Sequence, residues 1–231
     1  MVNVEEEIKK AFEAFNKGDH RTSFEIFKPL AEQGDAKAQF NLGFLYRIGK
    51  GVKQDYHEAY HWYSLAAEQG YAEAQYKIGL MYYKGQVVAQ DYQKAFKWYS
   101  LAAKQDDPKA QFNLGVLYRR AQGVAQDHKQ AFKWFVLAGE QGYAIAQFTL
   151  GGIYEKGEGI TQDHIEAIKW LKLAGEQGYT DAQYKLGWMY YHGEGIDQNY
   201  QKAFEWYSLA AEKGDLKAQF SLAVMYDNGH G

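Results

Sequence analysis

The chain has 231 residues, of which 46% are hydrophobic and 24% charged, and only two are proline, so its composition is that of a folded and mostly helical protein. Its formal net charge is −3 and it contains no run of five like charges, which argues against nucleic acid or a polybasic membrane contact. The lack of cysteine excludes disulfides, thiolate metal sites and a cysteine nucleophile.

The N-terminal residues do not have the pattern of a signal peptide. They read MVNVEEE, which is acidic where a signal peptide is basic and apolar, and nowhere do 18 apolar residues follow one another. The sequence as given therefore indicates a soluble, cytoplasmic chain. A periplasmic or secreted protein from which an export signal had been removed would have the same sequence, so the localisation stays open.

Residues 1–34 have the pattern of a short helical hairpin. Apolar residues fall on one face of each of two helices, and Gly18 and Asp19 stand at the turn between them. Pro29 lies in the second helix, where we expect it to cause a kink. This segment is predicted to cap the N-terminal end of the fold.

From residue 35 onward the sequence repeats itself. The tripeptide Ala-Gln-aromatic recurs every 36 residues without insertion or deletion, beginning at Ala38, Ala74, Ala110, Ala146, Ala182 and Ala218. Such strict spacing is typical of a solenoid, in which each unit stacks on the next with the same geometry. It predicts five units, followed by a half unit with a first helix only, at 35–70, 71–106, 107–142, 143–178, 179–214 and 215–231.

The first helix of each unit contains a glycine in its middle, as at Gly43 and Gly79. Glycine there costs about 1 kcal/mol relative to alanine, so we expect another helix to approach it closely. A Gly-x-Gly-hydrophobic loop follows and supplies the left-handed residues that end a helix. Val87 and Ala121 replace loop glycines, and we expect their two loops to be distorted.

The second helix of each unit begins after an N-cap residue: Asp55, Asp91, Asp127, Asp163 or Asn199. A tryptophan recurs in register within it, at Trp62, Trp98, Trp134, Trp170 and Trp206. The pattern predicts a buried aromatic spine that runs through the array.

These motifs carry a family resemblance. The runs Ala-x-Ala-Gln-x-x-Leu-Gly-x-x-Tyr, Gly-x-Gly-Val, Gln-Asp-Tyr-x-x-Ala and Trp-Tyr-x-x-Ala-Ala-x-x-Gly resemble the Sel1-like repeat (SLR) over residues 35–231, and the first hairpin resembles a tetratricopeptide repeat (TPR). The resemblance implies an all-α fold, a right-handed α-α superhelix (solenoid) of antiparallel helix hairpins. It also implies a function as an adaptor, because bacterial and eukaryotic proteins with such repeats mainly hold partner proteins together.

The candidate binding residues come from the first-helix positions that face the concave groove in SLR and TPR arrays. In the first unit they are Lys37, Phe40, Phe44 and Arg47. Their equivalents are Tyr76, Leu80, Tyr83, Phe112, Val116, Arg119, Phe148, Glu155, Tyr184, Trp188 and Tyr191. The Arg47 series is basic toward the N-terminus and acidic toward the C-terminus. Trp188 and Tyr191 are expected to be exposed aromatic anchors, although solvated surface positions that vary freely would give the same pattern.

The leading hypothesis is a non-enzymatic scaffold that binds a partner peptide or helix in this groove. An envelope-associated protein that binds peptidoglycan or another glycan is the alternative, and a β-lactam-related hydrolase is less favoured. No Ser-x-x-Lys, Gly-x-Ser-x-Gly or His-Glu-x-x-His pattern occurs, so we nominate no catalytic residue and no cofactor. His57 and His61 share a helical face, but they lack a third metal ligand.

The half unit 215–231 is predicted to have an uncovered apolar surface. Its single helix has an apolar side, including Leu222, Met225 and Tyr226, that no second helix would cover. We therefore expect either self-association through this end or a natural chain that continues past Gly231.

Overall fold

Residues 3–230 are described by the computed structural model, and over this range the chain forms thirteen α-helices and no strand. The all-α array of helical hairpins predicted from the sequence is thereby confirmed. In chain order the helices are α1 (Val4–Asn16), α2 (His20–Glu32), α3 (Ala36–Ile48), α4 (Tyr56–Glu68), α5 (Ala72–Lys84), α6 (Tyr92–Ala103), α7 (Pro108–Arg120), α8 (His128–Glu140), α9 (Ala144–Lys156), α10 (His164–Glu176), α11 (Thr180–His192), α12 (Tyr200–Glu212) and α13 (Leu216–Asp227).

The helices belong to two compact units. Unit 1 comprises Met1–Leu117 and Ala121–Ala125, and unit 2 comprises Tyr118–Arg120 and Gln126–Gly231. In unit 1, α3 packs on α4 and α5 on α6, while α2 and α4 contact the first helix of the hairpin that follows. Unit 2 repeats this pattern, with α9 on α10 and α11 on α12. Each unit is therefore a stack of helical hairpins.

The second helices begin where the sequence predicts. The side chains of Asp55, Asp91, Asp127, Asp163 and Asn199 each accept a hydrogen bond from a backbone N–H in the first turn. These bonds satisfy donors that a helix N-terminus otherwise leaves unpaired.

The two loops that lack a glycine keep the conformation of the others. Gly49 ends α3 with φ of 68°, and Ala121 ends α7 with φ of 55°. Val87 has φ of 69°, close to the 75° of the equivalent Gly51. The expected distortion of these loops is therefore wrong, because the backbone stays left-handed at both positions.

The mid-helix glycines allow a close approach between the two helices of one hairpin. A Cβ atom on Gly43 would lie 2.9 Å from Cδ1 of Tyr63, and one on Gly79 would lie 2.7 Å from Cδ1 of Tyr99. Both tyrosines are almost fully buried in the second helix. The predicted close contact at the glycines is confirmed.

The buried ring of the second helix is not the tryptophan. Trp62, Trp98, Trp134, Trp170 and Trp206 are all half-buried. The residue that follows each of them is buried instead, at Tyr63, Tyr99, Phe135, Leu171 and Tyr207. The prediction of a buried tryptophan spine is thus wrong. A tryptophan such as Trp170 lies over Gly139 of the preceding second helix and stays open to solvent on its other side.

A ladder of buried glutamines joins successive hairpins. The motif glutamines Gln39, Gln75 and Gln147 donate from Nε2 to the carbonyl oxygens eight residues earlier, at 3.0–3.2 Å. Because those carbonyls lie on the second helix of the previous hairpin, each bond fixes one hairpin on the next.

Helix α13 buries part of its apolar side. Met225 is 0% exposed and packs with Tyr207 of α12, so its predicted exposure is wrong. Tyr226, Phe220 and Leu216 remain exposed on the same helix.

Candidate functional site

The candidate residues lie on the first helices of the hairpins, and we call the surface that these helices form in each unit the first-helix face. It comprises α3, α5 and α7 up to Leu117 in unit 1, and the Tyr118–Arg120 end of α7 with α9, α11 and α13 in unit 2. Lys37 is exposed on it, and the other candidate residues are half-buried. None is fully buried, so each could contact a ligand at the cost of little rearrangement.

The aromatic residue of the Ala-Gln-aromatic motif is partly a packing residue. The Phe40 ring lies 5.5 Å from that of Tyr63 and 5.2 Å from that of Tyr71. Likewise, the ring of Tyr184 lies 5.7 Å from that of Tyr207. These rings therefore support the core with one side and offer only the other to a partner.

A glutamine holds the C-terminal ends of α3, α9 and α11 in place. Nε2 of Gln54 donates to the carbonyl oxygen of Arg47 at 2.9 Å. The same bond recurs between Gln162 and Glu155 at 2.7 Å and between Gln198 and Tyr191 at 2.8 Å. The backbone that carries the Arg47 series is thereby fixed by the loop that follows it.

A cavity of about 510 Å³ opens on the face of unit 1. Two candidate residues line it, Arg47 from α3 and Leu80 from α5, together with Lys77, Lys84 and Tyr63. The Arg47 guanidinium stacks over the Phe44 ring, 5.2 Å from its centroid. Burial raises the pKa of Tyr63 to about 12, and the nearby positive charge of Arg47 opposes part of that rise.

A second cavity, of about 390 Å³, lies on the face of unit 2. Its lining includes the candidate residues Arg119, Phe148 and Glu155. Nζ of Lys185 lies 2.6 Å from the Glu155 carboxylate, and this ion pair is mostly buried. Glu155 therefore does not present a free negative charge, and the predicted acidic character at this point of the face is largely neutralised.

The aromatic candidates meet in a third cavity, of about 260 Å³, between α11 and α13. Trp188, Tyr184 and Tyr191 line it with Phe220. Trp188 is half-buried rather than exposed: its ring packs 4.5 Å from that of His192, and the Lys185 amine lies 4.7 Å above it. The expectation that Trp188 and Tyr191 are exposed is corrected to partial burial, because both rings pack against a core cluster formed by α11, α12 and α13.

The remaining candidates lie outside these three cavities. Lys37 lies over the Phe12 ring at 5.6 Å, and the Tyr83 ring contacts that of Tyr92 at 5.5 Å. Phe112 and Val116 are half-buried on α7. Lys77, Lys185 and Phe220 are among the cavity-lining residues that sequence reasoning missed. The two lysines could have been found from the repeat, because Lys77 follows Arg47 by thirty residues and Lys185 follows Glu155 by the same number.

Over residues 3–230 there is no group of three or more histidine, cysteine or acidic side chains arranged to hold a metal ion, and His57 and His61 are both exposed. Within the same range no helix has the length and apolar character needed to cross a membrane.

The fold and the site define a helical-hairpin repeat protein that has cavities between the first helices within each of its units. The model of the Sel1 repeat matches residues 36–71, 72–107, 108–143, 144–179, 180–215 and 216–231. The chain therefore belongs to the Sel1 repeat family. Sel1 repeats commonly serve as protein–protein interaction modules, and the family is typically non-catalytic.

Solved structures agree with this family. The chain is 32% identical to a Sel1 repeat protein from Oxalobacter formigenes, with a TM-score of 0.89 over 96% of this chain and 91% of that one. It is 42% identical to c5321, a protective antigen present in uropathogenic Escherichia coli strains, with a TM-score of 0.86 over 89% of this chain. The matched part is only 44% of the length of c5321. The comparison with curated proteins gave no match.

A more distant neighbour shares the fold alone. It is the immunity protein Pa5087 from Pseudomonas aeruginosa, which is 23% identical, with a TM-score of 0.59 over 88% of this chain and 81% of that one.

Proposed function

We propose that this chain is a non-enzymatic scaffold that binds an extended peptide or a helix of a partner protein on its first-helix face. The observation that carries the proposal is the aromatic cavity between α11 and α13. Tyr184, Trp188, Tyr191 and Phe220 meet there around about 260 Å³ of space. Large aromatic side chains around a pocket are what anchors at protein interfaces use.

The arrangement along each unit supports the same function. In unit 2, both described cavities lie between consecutive first helices, so a peptide placed along that face would meet two subsites. The glutamine bonds at the helix ends keep these subsites preorganised, which lowers the entropy lost on binding.

Phe220 offers the sharpest test because it lines the aromatic cavity and is 72% exposed. Peptides are selected from a random displayed library on the intact chain, synthesised with a fluorophore, and titrated by anisotropy. We expect Phe220→Ala to weaken binding by about tenfold or more without a change in melting temperature, as for an interface anchor.

Leu216→Ala is the matched control. Leu216 is 78% exposed on the same helix and lies outside the cavity, so its loss should leave binding unchanged. A library that yields no binder, or equal losses in the two variants, would contradict the proposed function.

A further inference from the structure

The cavity of unit 1 gathers positive charge. Nine residues within the described range line it, and three of them, Arg47, Lys77 and Lys84, are cationic while none is acidic. No carboxylate lies within ion-pair distance of Arg47 or Lys77 in the part of the chain that the structure describes. Such a cluster is unfavourable unless an anion compensates it.

The equivalent position in unit 2 has a carboxylate that the unit 1 cluster lacks. Lys77 follows Arg47 by thirty residues, and Lys185 follows Glu155 by the same number, so the two pairs occupy equivalent positions. In unit 2 the pair is a close ion pair of 2.6 Å. In unit 1 a guanidinium stands where unit 2 has the carboxylate.

Two donors at the unit 1 cavity meet no acceptor from outside the cluster. Nε of Arg47 is buried without a close hydrogen-bond partner in the described chain, and the hydroxyl of Tyr63, a residue only 1% exposed, interacts there with the Arg47 side chain alone. The Lys77 amine is half-buried, and burial, followed by the charges of Arg47 and Lys109, lowers its pKa. The nearby Asp107 carboxylate is already engaged as the N-cap of α7.

An apolar wall adjoins the donors. Val87 stands at the position of Gly51, where a Cβ atom would lie 2.1 Å from the carbonyl oxygen of His20. A valine cannot approach the preceding hairpin so closely, and here it lines the cavity with Leu80 and with Tyr56, which is 52% exposed. The cavity is therefore larger than one carboxylate requires and offers contact to an aliphatic chain.

We propose that the cavity lined by Arg47, Lys77 and Tyr63 binds a carboxylate of an acidic peptide segment in a partner protein. This inference rests on the proposed function and names the chemistry of one subsite. The carboxylate takes the place that Glu155 fills for Lys185, and its aliphatic neighbours contact Leu80 and Val87. Charge-assisted bonds from a guanidinium and an ammonium make this recognition selective for an anion.

The probe is a fluorescein-labelled peptide of alternating glutamate and leucine, titrated by anisotropy against the full chain. We expect Lys77→Gln and Arg47→Glu each to raise its Kd by about tenfold or more, since each removes a charged hydrogen-bond donor. Arg47→Glu should also melt no lower than the wild type, because it recreates the ion pair of unit 2.

Lys185→Gln is the matched control, because Lys185 occupies the equivalent position but is already paired with Glu155. Its Kd for the probe should equal that of the wild type. An equal loss in Lys185→Gln, or no loss in Lys77→Gln, overturns the assignment of the site.

Two further peptides define the anion. Replacing each glutamate by glutamine should abolish binding, and higher salt should weaken binding of the acidic peptide. Tighter binding of a phosphoserine peptide than of the glutamate peptide would overturn the carboxylate assignment. If library-selected peptides respond to Phe220→Ala but the acidic probe ignores Arg47→Glu, the proposed function stands and this inference fails.

Discussion

Gln147 accepts a hydrogen bond of 2.7 Å at its Oε1 atom from Nε2 of Gln177, thirty residues later in the chain. The same relationship joins Gln39 with Gln69 at 2.7 Å. These two glutamines also donate from Nε2 to the second helix of the previous hairpin, so both the oxygen and the nitrogen of each amide are paired. A buried amide with both ends paired stabilises one register of stacking and penalises others.

Gln147→Leu should therefore destabilise the fold although leucine is more hydrophobic. The change removes both bonds and leaves the Gly139 carbonyl without its side-chain donor, with an expected loss of about 1–3 kcal/mol in the free energy of unfolding. Urea denaturation followed by circular dichroism measures it. Gln201→Leu, at an exposed position of α12, is the control and should change little. Equal stability of the two variants would show that the ladder is not a stabilising element.

Phe135→Ala should lower the free energy of unfolding more than Trp134→Ala does, although tryptophan has the larger ring. Phe135 is 0% exposed, so its removal opens a cavity and should cost about 3–5 kcal/mol. Trp134 is half-buried, so a loss of about 1–3 kcal/mol is expected for the truncation. Thermal melting of the two variants side by side shows which loses more stability. A lower melting temperature for Trp134→Ala would support the buried tryptophan spine after all.

Gly79→Ala and Gly152→Ala should change the free energy of unfolding in opposite directions. Both glycines are in first helices, but a Cβ atom on Gly79 would meet the Tyr99 ring at 2.7 Å, whereas one on Gly152 would meet nothing within 4 Å. We expect Gly79→Ala to lose about 1–3 kcal/mol through overpacking. Gly152→Ala should gain about 0.5–1 kcal/mol because alanine favours the helix. Denaturant midpoints of the two variants test the pair, and a stabilised Gly79→Ala would contradict the close approach.

The sequence predicted the fold well because its local signals recur from one repeat to the next. A cap such as Asp55 or a loop glycine such as Gly49 is weak evidence once and strong evidence when it recurs every 36 residues. The position of the tryptophan was predicted less well. Trp62 and Tyr63 are adjacent on one helical face, and the pattern cannot tell which of the two turns toward the first helix.

The candidate site was predictable only in part, for the same physical reason. Arg47 and Glu155 were found because they vary within a constant frame, but Lys77 and Lys185 come from the next first helix. Their pairing depends on the stacking of hairpins, a long-range contact that periodicity along one helix does not contain. Glu155 lines a cavity, but the negative charge that the sequence predicted there is neutralised by Lys185.

Tyr99→Phe should reduce the alkaline sensitivity of the protein without loss of stability at neutral pH. Its hydroxyl is buried and has no hydrogen-bond partner within the described chain, so phenylalanine should fit at no cost. Burial raises the pKa of Tyr99 well above its ordinary value of 10.0. The folded state therefore keeps the proton that the unfolded state releases. The stability linked to Tyr99 is fully present below pH 10 and falls as pH rises above it.

Between about pH 9 and pH 11 this group alone should lower the free energy of unfolding by about 1.4 kcal/mol in the wild type, a loss that the variant avoids. Urea denaturation at both pH values, with Tyr56→Phe as the control at a 52% exposed position, measures the difference. If the wild type and Tyr99→Phe lose the same stability over this interval, Tyr99 ionises in the folded state as readily as in the unfolded state. The burial of its hydroxyl would then be refuted.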